Sequence, residues 1–248
     1  MRPLVLVVWF GCGFAPRIDG VTPPDVDAPV TSDAPPDTVV VARPLYASSD
    51  NMLYRVDIDG HTAVQIGNMG QSMDALAFAN GMVIGIPSTF DSLMTIDPAT
   101  AQVVSSVTLS STHTYWGLTV AGTVIYAATD DSSNNLYTIS PTGTVTLVGT
   151  FGDSMTVAGD LAWVGNKLYV SLENGSCDPQ CIATVNPATG VATPIRTDAP
   201  GDMWGLSGYR GQLWALRGSG EIDSVDTTTG ALTKSFIASS IDWWEGTE

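Results

Sequence analysis

The 248-residue sequence predicts an all-β protein built from repeated units. Glycine and proline are abundant, with 25 and 15 residues, which indicates many turns between short elements. A strand-like motif of alternating apolar and polar residues recurs along the chain. Its copies are 40, 43, 46 and 40 residues apart and begin at Leu53, Leu93, Leu136, Ile182 and Ile222.

Each repeat contains four segments with the length and pattern of β-strands. The recurring motif, for example Leu93–Asp97, is followed by a turn of the Pro-Ala-Thr-Gly type and then by another strand. Upstream lie a second strand, such as Met82–Ile86, and a first strand, such as Asp74–Phe78. Four short strands in about 40 residues, repeated around an axis, are typical of propeller blades. We therefore expect a five-bladed β-propeller of four-stranded blades over residues 43–248.

The two ends of this domain predict how the ring closes. Pro44–Ser48 matches the second strand of a blade, and Asp242–Gly246 resembles an innermost strand that no blade follows. We expect the C-terminal strand to pair with the N-terminal blade, which would leave no free edge. The alternative is a larger propeller that has been cut short. The repeat pattern resembles that of the YVTN/NHL/quinoprotein-like propeller superfamily. This resemblance includes no catalytic motif, so it implies the fold and not an activity.

The first 12 residues have the pattern of an export signal. A cationic start and a short apolar run lead to Gly11-Cys12, which resembles the bacterial lipobox. The resemblance implies that Cys12 carries a lipid, and Gly13 after it favours outer-membrane sorting. The alternatives are an ordinary cleaved signal and a start codon assigned slightly late. Residues 13–42 are rich in Pro and Asp and predict a disordered tether.

The charge of the chain argues against nucleic acid as a partner. Nine Lys and Arg face 25 Asp and Glu, so the formal net charge is −16 and no basic face for phosphates is expected. No apolar run approaches the roughly 20 residues that a transmembrane helix needs. We expect an exported monomer that contacts a membrane only through its lipid anchor.

The remaining cysteines predict a disulfide. Cys177 and Cys181 lie close together, and an exported chain meets an oxidising compartment. The alternative, half of a zinc site, lacks a second Cys pair, and the two His residues, His61 and His113, lie far away in sequence.

Candidate ligand-binding residues come from aligning the first strands of the repeats on their shared leucine. This alignment brings acidic and aromatic residues to the start of the innermost strands, where propellers often bind ligands. The candidates are Trp116, Trp204, Trp244, Tyr115, Asp74, Asp160, Asp202 and Asp242. Aromatic faces beside carboxylates suit sugar rings or cationic ligands. The alternative is that the Trp residues pack between blades and the Asp residues cap turns.

Two classes of function remain open from the sequence. A binding or scaffold module would engage a glycan or an envelope protein. An enzyme would use the axial carboxylates for glycosidic chemistry, or would use them to hold Ca²⁺, the one cofactor that the sequence suggests. The oxygen-rich segment Asp130–Asn135 lacks the Gly and terminal Glu of an EF-hand loop, so we expect a solvated turn there.

Overall fold

The computed structural model describes residues 44–131, 134–238 and 241, and these residues form strands and turns without a helix. The strands build five antiparallel sheets, which we number as blades in chain order. Blade 1 contains β1 (Leu45–Ser49), β2 (Met52–Asp57) and β3 (Thr62–Asn68). Blade 2 contains β4 (Met73–Ala79), β5 (Met82–Pro87), β6 (Ser92–Ile96) and β7 (Val103–Thr108).

The other three blades repeat the same four-stranded order. Blade 3 contains β8 (Tyr115–Ala121), β9 (Val124–Thr129), β10 (Asn135–Ile139) and β11 (Val145–Thr150). Blade 4 contains β12 (Thr156–Val164), β13 (Lys167–Asn174), β14 (Cys177–Val185) and β15 (Ala192–Ala199). Blade 5 contains β16 (Met203–Tyr209), β17 (Gln212–Arg217), β18 (Glu221–Val225) and β19 (Leu232–Ile237).

The blades form a ring around four innermost strands, because β4, β8, β12 and β16 contact one another in that order. Strand β1 pairs with β2 and also contacts β4, so it takes the place of a second strand in blade 1. The prediction of an all-β, five-bladed propeller is confirmed.

The core consists of apolar clusters between successive blades. Tyr115 and Leu118 of blade 3 pack with Ile86 and Leu93 of blade 2, and each other blade pair has an equivalent cluster. This arrangement follows from the burial of β-sheet faces, which must be covered on both sides in a ring. Each blade is therefore stabilised mainly by its neighbours.

Blade 5 packs directly on blade 1. Phe236 of β19 stacks on His61, which lies in the turn before β3, with ring centroids 5.1 Å apart. Asp59 in the same turn accepts a hydrogen bond from Arg210 of blade 5 at 2.5 Å. Ile241 is buried in the cluster between these blades. The predicted closing strand at residues 242–246 lies outside the described residues, so its pairing stays a prediction.

The recurring turn between the third and fourth strands has a second role. In blade 4, the Asn186 side chain accepts the N–H of Ala188 at 2.9 Å, as expected for the predicted turn type. The same turn lies against the outer strand of blade 3. A Cβ atom at Gly149 of β11 would stand 2.0 Å from the Thr189 carbonyl oxygen, so this close approach requires glycine.

Candidate ligand-binding face

The innermost strands share an irregularity at their starts. In β4, β8 and β16, the register with the next strand shifts so that one residue has no partner. These residues are Asp74, Trp116 and Trp204, which the sequence alignment also placed at one shared position. Such bulges turn a side chain away from the regular alternation of a strand. We call the side of the ring on which the innermost strands begin the upper face.

Blade 4 has a larger irregularity at the same level. Between Val157 and Leu161 of β12, three residues stand opposite the single residue Ser171. Gly159 lies within this segment, and a Cβ atom there would stand 2.3 Å from the Met203 carbonyl oxygen. Strands β12 and β16 therefore approach each other so closely that no side chain fits at this position.

Trp116 of blade 3 and Trp204 of blade 5 stack on one another. Their ring centroids are 6.4 Å apart and their planes are inclined by 24°. Trp204 is 41% exposed, whereas Trp116 is half-buried. The indole nitrogen of Trp204 lies beside Gly218, where a Cβ atom would stand 2.8 Å from it. The pair thus forms an aromatic surface that is open to solvent through Trp204.

Asp160 joins two innermost strands. Its Oδ1 atom accepts the backbone N–H groups of Leu118 at 2.8 Å and Leu161 at 2.7 Å. Burial raises the pKa of the Asp160 carboxyl group well above its usual value, although both backbone hydrogen bonds act in the opposite direction. The carboxyl group lies deep within protein, while part of the residue's surface still reaches solvent. Asp160 therefore contributes to the joint between blades 3 and 4.

The two other described carboxylates among the candidates have separate partners. Asp74 is exposed and accepts a hydrogen bond from the Ser88 hydroxyl group at 2.5 Å. Asp202 accepts one from Arg217 Nε at 2.8 Å, and Arg217 also binds Glu221 at 2.6 Å. Asp74 thus presents its charge to solvent, whereas the charge of Asp202 is balanced within the protein.

Tyr115 lies in the core, not on the upper face. Its side chain is fully buried in the cluster between blades 2 and 3, and its hydroxyl group donates to the Ser111 carbonyl oxygen at 3.1 Å. Burial raises the pKa of Tyr115 to about 12. The structure therefore gives this residue a packing role beside Trp116.

A further cluster of polar side chains at the upper face contains residues whose contact the sequence analysis did not predict. His113 Nδ1 lies 2.6 Å from Asp131 Oδ2, and the His113 ring stacks on Tyr137 at 4.5 Å. The loops before β8 and after β9 meet here because antiparallel strands of one blade bring alternate loops to the same face. Asn135 is not in a solvated turn as predicted: it is the first residue of β10, is only 5% exposed, and its amide donates to the Tyr137 hydroxyl group.

The predicted disulfide is confirmed between Cys177 and Cys181, with an S–S distance of 2.08 Å. The loop that it closes also supports the aromatic pair. Gln180 is 7% exposed, and its Oε1 atom accepts the backbone N–H of Met203 at 2.9 Å. Met203 immediately precedes Trp204, so the disulfide loop of blade 4 holds the start of β16.

Three candidates, Trp244, Asp242 and the lipidation residue Cys12, lie outside the described residues. Within the described ranges, no three His, Cys, Asp or Glu side chains are grouped so that they could hold a metal ion. The same part of the chain contains no helix long and apolar enough to cross a membrane.

The ring and its upper face define a five-bladed β-propeller, and comparisons with known proteins agree with this class. Neither a protein-family model nor a curated protein matches the sequence. A chain in the crystal structure of a nidogen/laminin complex is similar with a TM-score of 0.54 and 13% identity, covering 77% of each chain. Myxococcus xanthus glutaminyl cyclase is similar with a TM-score of 0.53 and 17% identity, covering 68% of this chain and 71% of that one. At these identities the likeness shows the fold alone.

Proposed function

We propose that this propeller is a binding module that contacts a glycan or an envelope protein through Trp204 and Trp116 on its upper face. The observation that carries this proposal is the exposure of Trp204, 41%, in a stacked pair held by two different blades. Large, rigid aromatic side chains provide much contact area at little cost in conformational entropy. A propeller holds them at fixed positions because they stand on strands.

The surroundings of the pair support binding over catalysis. Asp74 binds Ser88, Asp202 binds Arg217, and Asp160 binds backbone N–H groups, so each of the three candidate carboxylates that the structure describes has its own partner. Glycosidic chemistry requires two carboxyl groups that act on one bond from opposite sides. The similar chain of the nidogen/laminin complex illustrates that a propeller fold occurs in protein assemblies.

The proposed function includes a location of the protein outside the cytoplasm. The disulfide between Cys177 and Cys181 supports export, because such bonds persist in oxidising compartments. We place the protein at the outer membrane as a monomer, anchored by a lipid on Cys12 and held off the surface by the tether at residues 13–42. Membership of the YVTN/NHL/quinoprotein-like superfamily belongs to the same proposal and rests on the repeat pattern.

The test is a titration with a panel of envelope oligosaccharides and peptides, followed by isothermal calorimetry. A ligand that binds the native protein should lose about 10-fold or more in affinity with Trp204→Ala, as expected for an aromatic hot spot. Trp214→Phe is the matched control, since Trp214 packs in the cluster between blades 5 and 1. Equal affinities of Trp204→Ala and Trp214→Phe for every bound ligand would exclude Trp204 as the contact.

An enzyme that uses Asp160 as an acid is the second candidate. The raised pKa of its buried carboxyl group is the observation that favours it, because general acids must hold a proton at working pH. Turnover of chromogenic glycosides that Asp160→Asn abolishes would support this candidate. Turnover that is unchanged by Asp160→Asn would exclude it.

A further inference from the structure

Many acidic residues lie on the upper face, the same face that carries the aromatic pair. The loops before each innermost strand and the loops after each second strand all open on the upper face. Acidic residues of these loops and of the adjoining strand ends are Asp50, Asp74, Asp91, Asp130, Asp131, Asp153, Glu173, Asp178, Asp198, Asp202 and Glu221. Among the described residues, the turns of the opposite face carry fewer acidic residues, namely Asp57, Asp59, Asp97 and Asp226, so the upper face is the more acidic one.

The basic side chains nearest to the upper face form ion pairs with acidic side chains. The described residues of the upper-face loops include no Lys or Arg. Arg217, at the end of β17, binds Asp202 and Glu221, and Lys234 reaches Glu221 at 2.6 Å. By contrast, Lys167 and Arg210 lie at the hairpins of the opposite face.

The acidic residues of this face act on one another. Burial raises the pKa of Asp130, and the nearby carboxylates of Glu173 and Asp131 raise it further. A surface of one charge sign attracts ligands of the opposite sign and increases their local concentration. Uncharged ligands gain nothing from such a field.

The aromatic pair provides the contact that a cation prefers. Trp binds cations over its ring face better than Tyr or Phe does, and Arg is the side chain found there most often. Trp204 stacks on Trp116 and remains 41% exposed, and the adjacent first-strand position of blade 2 carries the exposed Asp74.

We propose that the upper face docks a basic segment of a partner protein, with an Arg or Lys side chain over Trp204 and carboxylates such as Asp74 around it. This inference rests on the proposed function and narrows its ligand from a glycan or a protein to a cationic protein segment. A neutral glycan would use the aromatic surface but not the charge.

The experiment compares a synthetic Gly-Arg repeat peptide with the same peptide in which citrulline replaces arginine. Citrulline keeps the shape of the side chain and removes its charge. We expect the full-length protein to bind the arginine peptide at least 10-fold more tightly, with an affinity that falls as salt is added. Trp204→Ala should weaken this binding by about 10- to 30-fold, the upper part of the range expected for a cation–π contact.

Charge variants locate the effect on one face. Asp74→Asn should weaken the binding of the arginine peptide. Asp59→Asn, the same change on the opposite face, should leave this binding unchanged. Equal binding of the two peptides, no binding of the arginine peptide, or equal losses with Asp74→Asn and Asp59→Asn would overturn the inference. An oligosaccharide that binds through Trp204 while the arginine peptide does not would also overturn it, and would leave the proposed function standing.

Discussion

Asp160 shows how one buried carboxyl group can join two blades at an energetic cost. Its Oδ1 atom satisfies two backbone N–H groups on adjacent innermost strands, Leu118 of β8 and Leu161 of β12. A buried charge is unfavourable, and burial accordingly raises the pKa of this group. The neutral acid makes the same hydrogen bonds without the charge.

The protonation of Asp160 predicts a dependence of stability on pH. The native protein retains a proton that the unfolded chain releases at its ordinary pKa of 3.8. The free energy of unfolding should therefore fall as the pH rises from that value through the raised pKa of the folded state. Asp160→Asn keeps the Oδ1 acceptor and cannot ionise, so it should reduce this fall. Asp160→Ala should destabilise the fold by about 1–3 kcal/mol at pH 4.5, because buried donors lose their acceptor. The loss relative to the native protein should be smaller at higher pH, because Ala cannot ionise either.

Urea unfolding of the native protein and both variants at pH 4.5 and pH 8 measures these differences. We expect Asp160→Asn to gain stability relative to the native protein between the two pH values. The same pH dependence in Asp160→Asn and in the native protein would show that Asp160 is not the group responsible.

The candidate residues were only partly predictable from the sequence. Aligning the repeats brought Trp116 and Trp204 to one position because both occupy the same bulge in homologous strands. The burial of Asp160 was not predictable, because it depends on the larger bulge in β12. The contact between His113 and Asp131 was not predicted either, because it arises only when two loops of the folded blade meet.

At the scale of elements, the disulfide loop and the start of β16 form one unit. Gln180 lies between the two cysteines in sequence and accepts the N–H of Met203, and a Cβ atom added at Gly201 would be in van der Waals contact with Pro179. The spacing of the two cysteines predicted the disulfide. Its contact with the next blade depends on the ring and could not be deduced from local spacing.

This contact predicts that Gln180 positions Trp204. Gln180→Leu keeps the side-chain volume but leaves the Met203 N–H without its acceptor, which costs about 1–3 kcal/mol. The displacement of β16 should weaken the exciton signal that a stacked Trp116–Trp204 pair gives in circular dichroism. Trp116→Phe identifies that signal, because it removes one member of the pair.

Gln212→Leu is the control for this prediction. Gln212 likewise binds the backbone, but as a donor to the carbonyl groups of Leu213 and Val225, and it lies in the hairpin of the opposite face. It should lower stability without changing the exciton signal. An unchanged signal in Gln180→Leu, with the disulfide intact, would contradict the positioning role.

The outer strands illustrate a further property of the elements. Each of them pairs with its neighbour through a shifted register, in blades 1 to 5 alike. Bulges on an exposed edge strand hinder pairing with another sheet. We therefore expect the outer strands to resist edge-to-edge pairing between copies of this chain, while the monomer itself stays a prediction.

At the scale of the whole molecule, the ring follows from repetition. Five motifs at nearly constant spacing predicted five blades, because each blade can bury its faces only against its neighbours. The described residues close the ring through Phe236 on His61 and through the cluster between blades 5 and 1. The ligand was not predictable in the same way, since one propeller fold serves many functions.

The central claim is that the ligand of this protein covers the aromatic pair on the upper face. Hydroxyl-radical footprinting of the full-length protein, with and without an envelope extract from its source cells, tests this claim most directly. We predict slower oxidation of Trp204 and Trp116 in the presence of the extract. Trp163, which stacks on Tyr126 away from this pair, should be unchanged. Protection confined to exposed outer-strand residues such as Leu147, with unchanged oxidation of Trp204, would contradict the account.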